Sequence, residues 1–171
     1  MTAELFASEI EPELVEALDG LLYATRSESI AAGVLEHRAA ALGALLQKGG
    51  PRYLTRATNE LEDAINLVEE ASETRRNAAA HAALVLGLSQ DARLSEFASV
   101  APSPYGSALL ALRADLMMLR ERLSTLAETN TNALGSRIAL VNEALSSVSD
   151  DASVTYGRPM PNSARLVRGV L

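Results

Sequence analysis

A long apolar stripe ends in residues 126–157, which read LAETNTNALGSRIALVNEALSSVSDDASVTYG. Its apolar positions recur at intervals of three and four residues, which places them on one face of an α-helix. These positions are Leu134, Ile138, Val141, Leu145 and Val148. Asn130 and Asn132 interrupt the stripe at its start, and Thr155-Tyr156-Gly157 follow its end. A helical face of this kind needs a partner, which is either the protein's own bundle or another protein.

The stripe begins upstream as a regular leucine seam. Its members are Leu109, Leu112, Leu116, Leu119, Leu123 and Leu126, in strict three-four spacing. The spacing then changes to steps of four through Asn130, Leu134 and Ile138. Such a step is a stutter, which locally unwinds a left-handed supercoil, and a polar asparagine there weakens the seam and can fix its register. We therefore expect the first half of this helix to bind tightly to its own bundle and the second half to be set apart.

The composition favours helices. Hydrophobic residues make up 48% of the 171-residue chain, but only 4% are aromatic. Small aliphatic residues without aromatic or β-branched runs suit helix-on-helix packing. Proline and glycine divide the chain into helices at about 12–48, 51–87, 90–99 and 104–148. We expect an all-α fold: an elongated antiparallel bundle of three long helices plus one short helix, in one domain over residues 1–151.

The charge is distributed unevenly. The net charge is −7, yet residues 152–171 contain Arg158, Arg165 and Arg168 and no acidic residue. The remaining body therefore has 12 basic and 22 acidic residues, a net charge of −10. An acidic body argues against nucleic acid as a partner, because phosphates demand a basic surface. We expect residues 152–171 to form a basic, mobile C-terminal tail.

Motifs for chemistry are missing. The chain contains no cysteine, and its two histidines, His37 and His81, have no glutamate three residues before them. It also has no glycine-rich phosphate loop and no G-x-S-x-G or H-E-x-x-H motif. We therefore expect no catalytic residue, no metal site, no cofactor and no small-molecule substrate. The acidic N-terminus lacks a secretory pattern, and no uncharged apolar run approaches a membrane span, so we expect a cytoplasmic protein.

Two features stand out on the predicted long helices, an arginine on a seam and a pair of methionines. Arg75 falls on the seam of the second helix, where we expect its side chain to extend outward to solvent along its aliphatic stem. Met117 and Met118 form an adaptable apolar pair on the last helix, which is most often plain core.

Several strings resemble one family. The segment from Leu84-Val85-Leu86-Gly87-Leu88 to Leu94-Ser95-Glu96-Phe97 resembles the middle of the FlgN-type flagellar export chaperones, where a helix ends in L-G-L before a short helix. The pattern Asn130-x-Asn132-x-Leu134, the stripe that follows it and Thr155-Tyr156-Gly157 resemble the family's C-terminal signature. The resemblance covers most of the chain loosely and residues 126–157 more closely.

The resemblance implies a cytoplasmic type III secretion chaperone without catalytic activity. Its partners would be the hook–filament junction (hook-associated) proteins, whose C-terminal helices it would bind, keep from premature assembly and deliver to the membrane export gate. The export gate and the export ATPase complex are further candidate partners, and the membrane would be reached only through them. The candidate substrate-binding residues are Asn130, Asn132, Leu134, Ile138, Val141, Leu145, Val148 and Tyr156.

Other readings of these residues stay open. The stripe is equally explained as ordinary bundle core, and Tyr156 as a turn aromatic that packs on the helix end. The alternative function is a self-associating coiled-coil scaffold protein whose stripe forms a dimer.

Overall fold

The computed structural model describes residues 11–48 and 51–156, with side chains for 11–48 and 52–143. These residues form four helices and no strand, which confirms the prediction of an all-α fold. The helices are α1 (Pro12–Lys48), α2 (Pro51–Leu86), α3 (Leu94–Val100) and α4 (Tyr105–Tyr156). The three arginines predicted for the tail lie outside the described residues.

Contacts between side chains fix the helix directions. Glu28 of α1 pairs with Arg75 of α2, and Arg38 pairs with Glu60, so α1 and α2 run antiparallel. The Tyr105 hydroxyl of α4 donates a hydrogen bond to Asp19 Oδ1 of α1 at 3.0 Å. Further along both helices, Arg122 of α4 lies 3.6 Å from Glu36 of α1. From the first pair to the second, the residue numbers rise in both α1 and α4. This part of α4 therefore runs parallel to α1 and antiparallel to α2.

The end of α2 depends on Gly87. Its φ of +65° lies in the left-handed region, which glycine enters without a Cβ penalty. The Leu88 N–H donates to the Ala83 carbonyl at 2.8 Å, and the Gly87 N–H donates to the Leu84 carbonyl at 3.3 Å. This pair of bonds is the Schellman motif, and it satisfies carbonyls that a helix end leaves unpaired.

Two helix bounds differ from the sequence prediction. The short helix begins at Leu94 and not near residue 90, because Ala92 donates to Ser89 in a turn and the Glu96 carboxylate accepts the Arg93 N–H at 2.8 Å. The last helix continues to Tyr156 and not to about 148. Residues 136–156 contain no glycine or proline to end it. The first five residues of the predicted tail, 152–156, therefore belong to α4.

The fully buried core lies where all four helices meet. Its centre is Phe97 of α3, which is 0% exposed. The other members of this cluster are Ala17, Leu21, Ala79, Ala82, Ala83 and Leu109. Alanines on α2 let α1 approach closely, and Phe97 fills the volume that they leave.

The leucine seam of α4 is less buried than its spacing suggests. Leu109 is 0% exposed, but the later seam leucines are only half-buried. These residues are Leu112, Leu116, Leu119, Leu123 and Leu126. The expectation that this half of α4 is tightly bound is therefore correct only at its start. The reason is that two grooves remain beside α4, one against α1 and one against both α1 and α2.

A buried ionic group joins α1 to α2. Glu28 is only 9% exposed, and its two carboxylate oxygens accept hydrogen bonds from Ser72 and Arg75. The expectation that Arg75 extends outward is therefore wrong. The physical reason is that an unpaired buried carboxylate is costly, so the arginine turns inward to compensate it.

A second ionic group lies nearer the other end of the same helix pair. Glu60 accepts from Arg38 of α1 at 2.8 Å and from Arg56 of α2 at 2.9 Å. The hydrogen bond from Arg56, together with the positive charge of Arg38, holds the pKa of Glu60 below its ordinary value. This carboxylate therefore stabilises the α1–α2 pair in its ionised form.

The chain divides into two compact units between Asn130 and Thr131. The sequence places the end of the bundle domain at 151, but the division falls at the asparagine of the stutter. Helix α4 belongs to both units, since it runs from Tyr105 to Tyr156 without a break.

Candidate partner-binding surface on the last helix

Asn130, the last residue of the first unit, connects α4 to α1. Its Nδ2 donates a hydrogen bond to the Ala39 carbonyl at 2.9 Å. Its Oδ1 lies against Gly43, where an added Cβ would be only 2.5 Å from that oxygen. The same Oδ1 is buried and has no hydrogen-bond partner among the described residues. A leucine would suit an apolar seam better, so we infer that the asparagine is there for register.

The segment of α4 from Thr131 to Glu143 presents the stripe. The exposed fractions of Leu134, Ile138 and Val141 are 49%, 54% and 57%. Spacings of four and three residues put these three side chains on one face of the helix. Each therefore keeps about half of its surface available for burial by a partner. Apolar residues exposed together in this way are typical of an interaction surface, whereas scattered single ones are not.

Hydroxyl side chains near the stripe donate hydrogen bonds to backbone carbonyls of their own helix. The Ser136 hydroxyl donates to the Asn132 carbonyl at 3.0 Å, and the Thr129 hydroxyl donates to the Thr125 carbonyl at 2.8 Å. The side chain of Asn132 is exposed. Its amide is therefore accessible for hydrogen bonds to a partner.

The remaining candidate residues continue the same helix. Leu145, Val148 and Tyr156 lie on α4, and their side chains lie outside the described part of the structure. Helical spacing alone continues the stripe through Leu145 and Val148.

Sequence reasoning missed some exposed apolar residues. Leu140 is 64% exposed and lies about a quarter turn or more from the stripe, so the three-four pattern did not select it. Met117 and Met118 are 55% and 49% exposed, so the expectation that this pair is core is wrong. The reason is that two adjacent helical residues cannot both point into a seam whose members are Leu116 and Leu119.

The described residues include no group of three or more histidine, aspartate or glutamate side chains that could hold a metal ion. His37 and His81 are both exposed. The side chains of the stripe are apolar, so what this surface offers chemically is reversible apolar contact.

One described helix passes a simple test for membrane spans. Helix α1 contains an 18-residue stretch with a mean hydropathy of 1.2, which is long and apolar enough to cross a bilayer. Core helices of soluble proteins pass the same test, and buried residues of α1 such as Leu21 belong to the core cluster. This stretch is weak evidence for a membrane segment.

The comparison with protein families decides the identity. A family model described as FlgN protein matches residues 33–160, about three quarters of the chain. The chain belongs to the FlgN family. Proteins of the FlgN family are flagellar export chaperones, and the matched range includes every candidate residue from Asn130 to Tyr156. No curated protein and no solved structure matches the chain.

Proposed function

We propose that this FlgN-family protein is a cytoplasmic chaperone that binds the C-terminal helices of hook–filament junction proteins. It keeps those helices from assembling early and delivers them to the flagellar type III export gate. It acts by binding and not by catalysis. The candidate binding face is the stripe of α4 from Leu134 to Val148, with Asn130 and Asn132 before it and Tyr156 after it.

The observation that carries the proposal is the exposure of Leu134, Ile138 and Val141 on one helix face. The terminal helices of a filament subunit are amphipathic and find their partners only on assembly. A chaperone that offers a matching apolar face can complete a shared bundle with them. Burying the exposed half of each stripe residue contributes about 1 kcal/mol. A few such residues give binding that is specific and can still be reversed at the gate.

The division of the chain at Asn130 supports a separation of tasks. Residues up to Asn130 contain the core cluster and the ionic groups between α1 and α2. The segment after Asn130 contains the exposed stripe. Substitutions on the stripe should therefore change partner binding without unfolding the bundle.

The test replaces two stripe residues by aspartate. Ile138→Asp with Val141→Asp removes two apolar contacts and forces two carboxylates to lose water on binding. We expect the affinity for a junction-protein C-terminal peptide, measured by fluorescence anisotropy, to fall by about 100-fold or more. The melting temperature should stay nearly unchanged, because both residues are more than half exposed.

Leu140→Asp is the matched control. Leu140 lies on the same segment, is 64% exposed and is off the stripe. We expect this control to keep most of the affinity. Equal losses in both variants would contradict the assigned face. A large fall in the melting temperature of the stripe variant would mean that the stripe is core. If the parent protein is a homodimer and the stripe variant is a monomer, the self-associating coiled coil would be favoured.

A further inference from the structure

A groove lies between the α1–α2 pair and the first half of α4, and α3 contributes to its wall. Its volume is about 580 Å³. The apolar lining residues are Ala32, Val68, Leu94, Leu116, Met117, Leu119 and Leu123. Met117 is 55% exposed, and the seam leucines here are only half-buried. The bundle therefore leaves an apolar trough open along about three turns of α4.

Arginines surround this trough. Arg93, Arg113 and Arg120 line it and are exposed. Among the described residues, no carboxylate forms an ion pair with any of the three. Arg75 also lines the trough, but it is paired with Glu28, the single acidic residue of the lining. The lining therefore has a net charge of +3 in a chain whose net charge is −7. We call this feature the arginine groove.

The spacing of the arginines indicates the shape of an occupant. Arg113 and Arg120 are seven residues apart on α4, so they lie on one face about 10 Å from each other along the helix axis. Leu116 and Leu123 have the same seven-residue separation. An antiparallel or parallel helix in the groove would meet a row of leucines beside a row of positive charges.

We propose that the arginine groove binds an amphipathic helix of a partner protein, in which carboxylates spaced seven residues apart flank an apolar stripe. The apolar face would lie on the leucines and Met117, and the carboxylates would pair with Arg113 and Arg120. This site is separate from the stripe after Asn130, and it does not depend on the proposed function.

A second groove, on the other side of α4, has no excess of positive charge. It lies between α1 and α4 and is lined by Glu36, Glu121, His37 and Arg122 among others. Arg122 lies 3.6 Å from Glu36, so a pair of opposite charges spans the two helices there. Its lining offers no excess of positive charge to select an acidic partner.

The test uses two labelled synthetic peptides of about five helical turns. Both carry leucines at heptad a and d positions. One has glutamates at the flanking e and g positions, and its twin has lysines there. Anisotropy with the full-length protein should show that the acidic peptide binds and the basic twin does not. Added salt should weaken this binding, because exposed charge pairs are screened.

Charge reversal makes the test specific to the groove. Arg113→Glu with Arg120→Glu should weaken the acidic peptide about tenfold or more and allow the basic twin to bind. Arg26→Glu with Arg52→Glu is the control, with the same change in net charge at two exposed arginines outside the groove. The affinity of this control variant for the acidic peptide should stay within about twofold of the parent's affinity at the same ionic strength. Arg113→Gln with Arg120→Gln should give a smaller loss and no binding of the basic twin.

Three results would overturn the proposal. The first is that the acidic peptide does not bind at about 100 μM, a concentration at which even weak complexes form detectably. The second is an equal loss in the groove variant and in the control variant. The third is a homodimer in sedimentation analysis that the groove variant dissociates, since it would assign the groove to a second copy of the chain. The junction-protein titration has separate variants, so failure of one proposal leaves the other intact.

Discussion

Asn130 is the residue of α4 at which the first compact unit ends. Its amide donates to the Ala39 carbonyl, and its Oδ1 is buried against Gly43 and has no hydrogen-bond partner within the described part of the chain. Only a glycine at position 43 leaves room for that oxygen. The pair therefore couples a glycine of α1 to an asparagine of α4 that lies 87 residues later in the chain.

Gly43→Ala should not give the stabilisation that alanine normally brings to a helix. Alanine contributes about 1 kcal/mol relative to glycine in a helix interior. At position 43, however, the new Cβ would lie 2.5 Å from Asn130 Oδ1, so the amide must turn away and lose its bond to Ala39. That loss costs about 1 kcal/mol. We expect no net gain or a net loss in the free energy of unfolding, measured with urea.

Gly20→Ala is the control on the same helix. Gly20 is exposed and has no atom within 4 Å of an added Cβ, so it should show the full gain of about 1 kcal/mol. If both variants gain equally, Gly43 does not restrain Asn130.

At the scale of elements, spacing and punctuation predict the helices well. Three-four periodicity and the residues Pro12, Pro51 and Gly87 mark the three long helices, because these features act locally on the backbone. What the sequence could not predict is how the helices face one another. Arg75 turns inward to Glu28 because the rotation of α1 places a carboxylate there, and no local pattern encodes that rotation.

The candidate surfaces show the same limit. The asparagine stutter predicted a change in α4, and the chain divides at that residue. The half-burial of Leu116 and Leu123 and the arginine groove beside them were not predicted. They depend on the distance between α4 and α2, which three-four spacing does not specify.

The ionic group of α1 and α2 gives a pH prediction. The pKa of Glu60 is lowered in the fold from its ordinary value of 4.5, chiefly by the hydrogen bond from Arg56. A lowered pKa means that the ionised group stabilises the protein above pH 4.5 and that this contribution is lost as the pH falls through the folded pKa. Glu60→Gln should therefore melt below the parent at neutral pH, and the difference should shrink below pH 4.5.

Thermal melts between about pH 3 and pH 7 measure this difference. Glu62→Gln is the control, because Glu62 is an exposed glutamate of the same helix without a described ion pair. A Glu60→Gln difference that stays constant across this range would contradict the ionic role.

At the scale of the whole molecule, folding and the proposed partner binding belong to different parts of the chain. The first unit contains the buried core, with Phe97 at its centre, and the contacts that join α1, α2 and α4. The second contains a half-exposed stripe on α4, within the range that the FlgN family model matches. A chain that ends at Asn130 keeps every described contact of the first unit and loses the stripe.

The most direct measurement is a calorimetric titration of the full chain, and of the chain ending at Asn130, with a C-terminal helical peptide of a junction protein at several temperatures. We predict that the full chain binds with a negative heat-capacity change, because apolar surface is buried as the peptide folds. The shortened chain should melt cooperatively and give no binding heat. Equal binding by a folded shortened chain, or no binding by the full chain at tens of micromolar, would contradict the assignment of the stripe.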